Sequence, residues 1–416
     1  MNTMGAITRL SPWLRLGVSA AELRADTTLN CGQSFRWVAS GEHEWSAALW
    51  GCLVSIKQTD SDIYFRTSGD PEETRDCLND YFQLKVKLAD LYDAWRTDVN
   101  FKKKAGNLAG IRILRQDPIE NVFSFICTSN NNIGRITSMV NALCSNFGPK
   151  IGTIEKEDRT IELHAFPSVK RLSETDVEAK LRVLGFGYRA KYIHQTAAMI
   201  VRKCESEALD PEQYLVGLRN LASKEEKREE LLKLSGVGPK VADCILLMSL
   251  DCPDSIPVDT HVYQIAVRDY GLKTLKSKTL TPATYEQISN TFKLVFGPYA
   301  GWAHSVLFTA DLRQFRDRLA PGKPVSGGPS PREDTQATET KPDSLPGSIA
   351  GSTLDDAADT TRSEQASPAP SPRLRKRKSP PDTGNDSAST PSTRSNSPEP
   401  SAQPRRSKRS SRRIDR

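Results

Sequence analysis

Hydrophobic and polar positions divide the chain into three stretches. Over residues 1–69, short runs alternate or are rich in β-branched and aromatic residues, at 34–38, 44–50, 53–57 and 63–67, with polar turns at 40–42 and 59–62 between them. This pattern predicts an antiparallel meander or hairpin sheet. Over residues 70–315 the period lengthens. Pro71, Glu72 and Glu73 open one helix with a proline and two acids in its first turn. Segments 118–127, 133–147, 190–202, 226–234, 240–250, 260–270 and 285–296 place apolar residues at i, i+3 and i+4. Gly297-Pro298 interrupts the pattern before a last helix at 302–312. Residues 316–416 contain no Phe, Trp or Tyr and are dense in Ser, Pro, Thr, Asp and Arg. Such a stretch buries too little apolar surface to offset chain entropy and is expected to be disordered. The predicted fold class is α+β, mostly α.

Charge sharpens this picture little. The net charge is +7. Residues 320–416 hold 17 Lys and Arg against 12 Asp and Glu, which leaves +2 for everything before them. A surface for an anionic partner on the ordered part is therefore a local patch. Two basic clusters in the tail, 373–378 and 405–413, read as nuclear-localisation or DNA-tethering segments. The first twenty residues hold Arg9 and Arg15 and no acid. They read as a short N-terminal arm, with a weak mitochondrial transit peptide as the alternative. The eight cysteines form no CxxC pair, and the five histidines are scattered. That spacing argues against a zinc site or a disulfide framework. No apolar run has transmembrane length.

The chemistry concentrates in 231–244, Leu-Leu-Lys-Leu-Ser-Gly-Val-Gly-Pro-Lys-Val-Ala-Asp-Cys. A helix ends there, Gly236 and Gly238 form a tight hairpin, and Pro239 fits the first turn of the next helix. Backbone N–H groups at such a helix start grip a phosphate without reading sequence. Gly-x-Gly alone would suit any helical hairpin. Lys240 changes that reading, because it stands where the helix dipole disfavours an ammonium. A neutral amine there can attack a sugar carbon and form a Schiff base. Downstream, Ile256-Pro257-Val258 leads to Asp259, which reads by itself as a helix N-cap. A carboxylate at that place can also offset positive charge on a deoxyribose losing its base.

These residues resemble the helix–hairpin–helix DNA glycosylase superfamily, with the hairpin at about 226–250. Within it the chain is similar to the eukaryotic 8-oxoguanine DNA glycosylases. The similarity is carried by Gly32-Gln33-Ser34-Phe35-Arg36-Trp37, Ser129-Asn130-Asn131-Asn132-Ile133, Gly187-Tyr188-Arg189-Ala190, Val241-Ala242-Asp243-Cys244 and Gly297-Pro298-Tyr299-Ala300-Gly301-Trp302-Ala303. It runs from about residue 12 to 315. The resemblance implies a helical glycosylase core after the sheet domain. It implies a bifunctional enzyme that excises 8-oxoguanine opposite cytosine from duplex DNA, then nicks the strand by β-elimination. Lys240 would be the nucleophile and Asp259 the essential carboxylate. Gly32 would accept the N7 hydrogen found only on the oxidised base, and Cys244 and Phe308 would enclose the flipped base. Asn130, Arg135 and Arg189 would hold the orphaned cytosine, with Tyr188 wedged into the stack. His261, Gly236 and Gly238 would meet phosphate. Backbone carbonyls of Leu232, Leu234 and Val237 would hold a K+ or Na+ ion.

No cofactor is implied otherwise. The resemblance further implies a monomer acting on DNA that contains oxidised purines, in the nucleus and in mitochondria if a transit peptide operates. The tail would be free to meet downstream repair proteins. One position departs from the family. Where a glutamine usually reads the base edge, this chain has His304. One histidine nitrogen donates or accepts but does not supply the paired donor and acceptor of an amide. Pairing through a protonated ring is expected at lower pH. Ser235 stands where the hairpin often has proline. Two alternatives stay open. A relative with another lesion preference commonly carries an iron–sulfur cluster on four cysteines after the aspartate, and no cysteine here follows Cys252. A non-catalytic DNA-binding protein would have no use for the Lys240/Asp259 pair.

Overall fold

A five-stranded antiparallel sheet and a hairpin stand beside a helical core in the structure, a computed structural model that describes residues 7–105, 108–157, 159–272 and 280–315. The sheet comprises β1 (Leu14–Arg15), β2 (Val38–Gly41), β3 (Glu44–Leu49), β4 (Cys52–Gln58) and β5 (Ile63–Thr67), in the order β1-β5-β4-β3-β2. Alternation gives it two apolar faces. Trp45, Ala47, Val54, Ile56 and Phe65 pack against Leu78, Tyr81 and Phe82. Ala48 and Leu53 face the other way, onto Ile154 and Leu163. Those two residues belong to a second hairpin, β6 (Lys150–Lys156) and β7 (Arg159–His164). It lies within the stretch expected to be mostly helical and is not itself anticipated by the pattern.

The helices are α1 (Ala25–Thr28), α2 (Pro71–Tyr81), α3 (Leu88–Trp95), α4 (Val99–Ala105), α5 (Pro118–Ile126), α6 (Ile133–Phe147), α7 (Val169–Leu172) and α8 (Val177–Val183). They continue with α9 (Arg189–Glu207), α10 (Pro211–Gly217), α11 (Lys224–Leu232), α12 (Pro239–Ser249), α13 (Thr260–Asp269), α14 (Pro282–Phe296) and α15 (Ala300–Asp311). Side-chain caps account for several starts. Asp70, Asp117, Ser223 and Thr281 each accept a backbone N–H in the first turn of the helix that follows. Thr281 and Pro282 begin α14 three residues before the expected 285. The mostly helical α+β class is borne out. The segment 316–416, including the basic clusters, lies outside the described residues.

The expected strand at 34–38 is not formed, since β2 begins only at Val38. Residues 33–36 satisfy their polar groups through side chains instead. Gln33 donates to the Arg112 carbonyl at 2.8 Å and accepts from the Leu114 N–H at 3.0 Å, an amide imitating a strand partner. Arg36 is buried on the Glu120 carboxylate at 2.9 Å and on the carbonyls of Ala48 and His164.

Arg112 joins the sheet side to the helical core. Its fully buried guanidinium donates to the carbonyls of Phe82, Gln83 and Val86 and to the Glu22 carboxylate at 3.0 Å. Arg112→Ala removes the side-chain donor from the buried carbonyls of Phe82 and Val86, whereas the Gln83 carbonyl keeps the Val86 N–H and the Glu22 carboxylate keeps the Leu88 and Ala89 N–H groups. The expected loss of unfolding free energy, read by urea titration, is about 3 kcal/mol or more. A loss under about 1 kcal/mol would show that these groups find other partners.

Candidate active site

Helix α12 is apolar over most of its length, and Val241, Cys244, Ile245 and Met248 are buried. Its N-terminus is set by Gly238 as N-cap and Pro239 in the first turn. The hairpin before it depends on Gly236, whose φ of +79° lies in the left-handed region. A Cβ at that position would come 2.7 Å from the Tyr192 side chain on α9. Helix α9 also braces the turn. Thr196 donates to the Ser235 carbonyl at 2.6 Å, and the Ser235 hydroxyl donates to Gln195 at 2.9 Å. A proline at 235 could not make that second bond.

The first turn of α12 carries Lys240 into a cavity of about 60 Å³. Lys240 Nζ lies 3.4 Å from the Thr128 hydroxyl and 5.2 Å from the centre of the Phe125 ring. Asp259 reaches the same cavity from the start of α13. It caps that helix by accepting the Val262 N–H at 2.9 Å. Asp259 is thus a helix cap that also lines the cavity. Gly32, Cys244, His304 and Phe308 complete the expected set in the wall. Gly32 has φ +88°, and a Cβ there would approach Ile133 to 3.1 Å. The cavity lies well below the volume of ordinary small-molecule sites. Phe308 is half-buried, and its ring stands edge-on to exposed His261, with centroids 6.0 Å apart.

Two wall groups are electrostatically distinctive. Burial pushes the Cys244 thiol up to about 11, against the pull of Lys240 beside it, so it stays neutral. Burial pushes His304 down to about 4, with Asp259 opposing and Lys240 reinforcing the shift. The ring is 5% exposed, and both nitrogens lack a protein partner among the described residues. Burial therefore works against the expected pairing through a protonated ring, because desolvation favours the neutral imidazole.

A second group gathers on the surface. Tyr188 is 48% exposed, and its hydroxyl donates to the Ser129 carbonyl at 3.0 Å. Arg189 is buried, donates to the carbonyls of Ser129 and Asn130, and lies 4.6 Å from the Tyr188 ring centre. Exposed Asn130 has φ +47°. Exposed Arg135 donates to the Gly185 carbonyl at 3.2 Å. Tyr188 meets Tyr192 at 5.9 Å, which links this group to the glycine hairpin. Leu234 and Val237 are buried in that hairpin, and Leu232 is 37% exposed. Cys31, Gln33, Phe125, Met248, Ser305 and Thr309 also line the cavity, although none is assigned a role there from the sequence. Spacing points to Met248, one turn beyond Cys244, and adjacency to Cys31 and Gln33. Nothing local marks Thr128.

Comparisons with known proteins agree with this geometry. Residues 15–122 match the 8-oxoguanine DNA glycosylase N-terminal domain family. Residues 123–290 match the HhH-GPD superfamily of base excision DNA repair proteins. The N-glycosylase/DNA lyase OGG1 of Arabidopsis thaliana is 39% identical over 307 residues, covering 72% of this chain and 80% of that protein. The Saccharomyces cerevisiae N-glycosylase/DNA lyase is 39% identical over 328 residues, covering 72% of this chain and 86% of its own length. The Clostridium acetobutylicum 8-oxoguanine glycosylase/lyase, solved with duplex DNA holding cytosine opposite 8-oxoguanine, superposes with a TM-score of 0.60 at 26% identity, over 76% of this chain and 99% of that one. With the lysine that follows the glycine hairpin and the aspartate meeting at one cavity, the chain belongs to the 8-oxoguanine DNA glycosylase family of N-glycosylase/DNA lyases.

Proposed function

We propose that this enzyme excises 8-oxoguanine opposite cytosine through Lys240 and Asp259. The observation that carries the reading is one cavity receiving both groups beside the Gly236–Gly238 turn. The lesion is extruded from duplex DNA into that cavity. The Lys240 amine, in its neutral form, bonds to C1′ of the deoxyribose while the bond from C1′ to the base breaks. The departing base takes the electron pair and then a proton. Asp259 offsets the positive charge that builds on the sugar. Loss of one amine proton and cleavage of the C1′–O4′ bond, with a proton going to O4′, leave a protonated Schiff base between Lys240 and C1′. Removal of a C2′ proton then expels the 3′ phosphate. Gly32 supplies a backbone carbonyl for the N7 hydrogen, and Cys244 and Phe308 enclose the base. Asn130, Arg135, Tyr188 and Arg189 form the face toward the estranged cytosine. Arg189 leaves the carbonyls of Ser129 and Asn130 to reach it.

Gly236, Gly238 and His261 meet backbone phosphate. The carbonyls of Leu232, Leu234 and Val237 would hold a monovalent cation in the hairpin. Oxygen donors suit such an ion, and the Leu234 carbonyl, which accepts the Val237 N–H at 3.1 Å, keeps a second lone pair. The protein acts as a monomer in the nucleus, with the basic tail as its import and partner segment. Mitochondrial copies would depend on the N-terminal arm. Among the described residues no helix is long and apolar enough to cross a membrane.

Excision measured on 8-oxoguanine opposite C, A, G and T tests the substrate. Fastest release opposite C supports the reading, and equal release opposite all four overturns the role of the cytosine face. His304 supplies a pH test. Its folded-state value, about 4, lies below its ordinary 6.5, so the folded protein resists protonation while the unfolded chain accepts it. Its contribution to stability is full above about 6.5 and is lost as pH falls toward about 4. Above about pH 5.5 the ring stays neutral, so wild-type and His304→Gln pH–rate profiles should have the same shape. A wild-type inflection near 6.5, lost in the variant, would contradict the neutral ring.

A further inference from the structure

Behind the cavity, a single hydroxyl ties together the two elements that carry the reacting groups. Tyr285, in the first turns of α14, donates to the Asp243 carboxylate. Asp243 lies on α12 three residues after Lys240 and is 7% exposed. The same hydroxyl accepts the Val258 N–H at 3.2 Å and sits 3.3 Å from the Ile256 carbonyl. Val258 immediately precedes Asp259. Arg228 of α11 approaches the other oxygen of Asp243 at 3.4 Å. We propose that Tyr285 is a positioning residue that sets the separation between Lys240 and Asp259 while touching neither. The inference rests on the reading that these two groups carry the reaction.

The physical case is one of rigidity. Lys240 is placed by a helix, whereas Asp259 is placed by the irregular segment 253–258. Pro257 in that segment has no N–H to anchor it. The Val258 N–H is the backbone donor adjoining Asp259, and its acceptor stands on a third element, α14. Asp243 is buried and in turn fixes the hydroxyl. Removing the oxygen orphans a buried donor and half of a buried carboxylate's partners, and the segment then relaxes away from α12. A small displacement of a reacting group is sufficient to slow the chemistry, because proximity is lost before binding is.

The test is Tyr285→Phe, measured as single-turnover excision of 8-oxoguanine opposite cytosine. The dissociation constant for the same duplex and the melting temperature are recorded alongside. The expected result is a rate lower by about tenfold to a hundredfold, with the dissociation constant changed by no more than about twofold. Asp243→Asn, a second and independent variant, should show a comparable fall. The double variant should be no slower than the slower single one, because both act through one link. Two results overturn the inference: a Tyr285→Phe rate within about twofold of wild type, whatever happens to melting temperature, or rate losses that multiply in the double variant. Lys240→Gln in the same assay separates this from the underlying reading. If Lys240→Gln still excises, the assignment of the reacting pair has failed. An inactive Lys240→Gln beside an unaffected Tyr285→Phe overturns the role of Tyr285 alone.

Discussion

Lys240→Gln is expected to abolish strand nicking and the borohydride-trapped adduct, and to lower base excision by more than about a thousandfold, while the protein still binds lesion DNA. The substitution keeps the length of the side chain at the first turn of α12 but removes the nucleophile. Little in the fold depends on the amine. Its polar contact to Thr128 is long, at 3.4 Å, and the surrounding helix is held by buried Val241, Cys244 and Ile245. Stability should therefore stay near wild type, and gel-shift affinity for an 8-oxoguanine duplex should be retained. Persistent nicking by the variant would require a different amine. Loss of binding together with activity would show that the side chain organises the hairpin rather than the chemistry.

Asp259→Asn separates two roles of one side chain. Asparagine caps a helix as well as aspartate does, so the bond to the Val262 N–H and the start of α13 should survive. What disappears is the negative charge beside Lys240 and His304. Excision is expected to fall by about a hundredfold to a thousandfold, by analogy with removing one electrostatic stabiliser from a preorganised site. The melting temperature should move little. The same variant also removes the charge that draws the His304 value upward, so the ring should become harder still to protonate. Single-turnover kinetics with calorimetry checks both halves. A large thermal destabilisation with modest rate loss would make Asp259 a cap and little else.

Much of this architecture is legible in the sequence, for identifiable reasons. Residues 133–147 read as a helix and form α6 with those bounds, because apolar spacing and the Asn132 cap agree. The glycine hairpin is visible because Gly236 has φ +79° and a Cβ there has no room. Lys240 and Cys244 share a cavity wall because four residues make about one helical turn. Other features depend on contacts between distant segments. The hairpin β6–β7 carries two apolar residues per strand among charged ones, and its buried face, Ile154 and Leu163, is defined only by Ala48 and Leu53 covering it. Residues 34–38 look like a strand until Gln33 and Arg36 are seen to bond Arg112, Leu114 and Glu120. Thr128 and Phe125 meet Lys240 across more than a hundred residues, and no spacing announces that. His304 was legible as an oddity. Its neutral state was not, since that follows from how completely the helices bury it. Tyr285 likewise looks like one more apolar position of an amphipathic helix, and its hydroxyl gains meaning only from Asp243 and Val258.

Peptide mapping of the borohydride-reduced adduct goes straight to the amine at the centre of the mechanism. Wild-type enzyme is trapped on a duplex with 8-oxoguanine opposite cytosine, digested, and the modified residue is located by mass spectrometry. The adduct is predicted on Lys240. An adduct on another lysine or on the terminal amine, or efficient excision with no adduct at all, would contradict it.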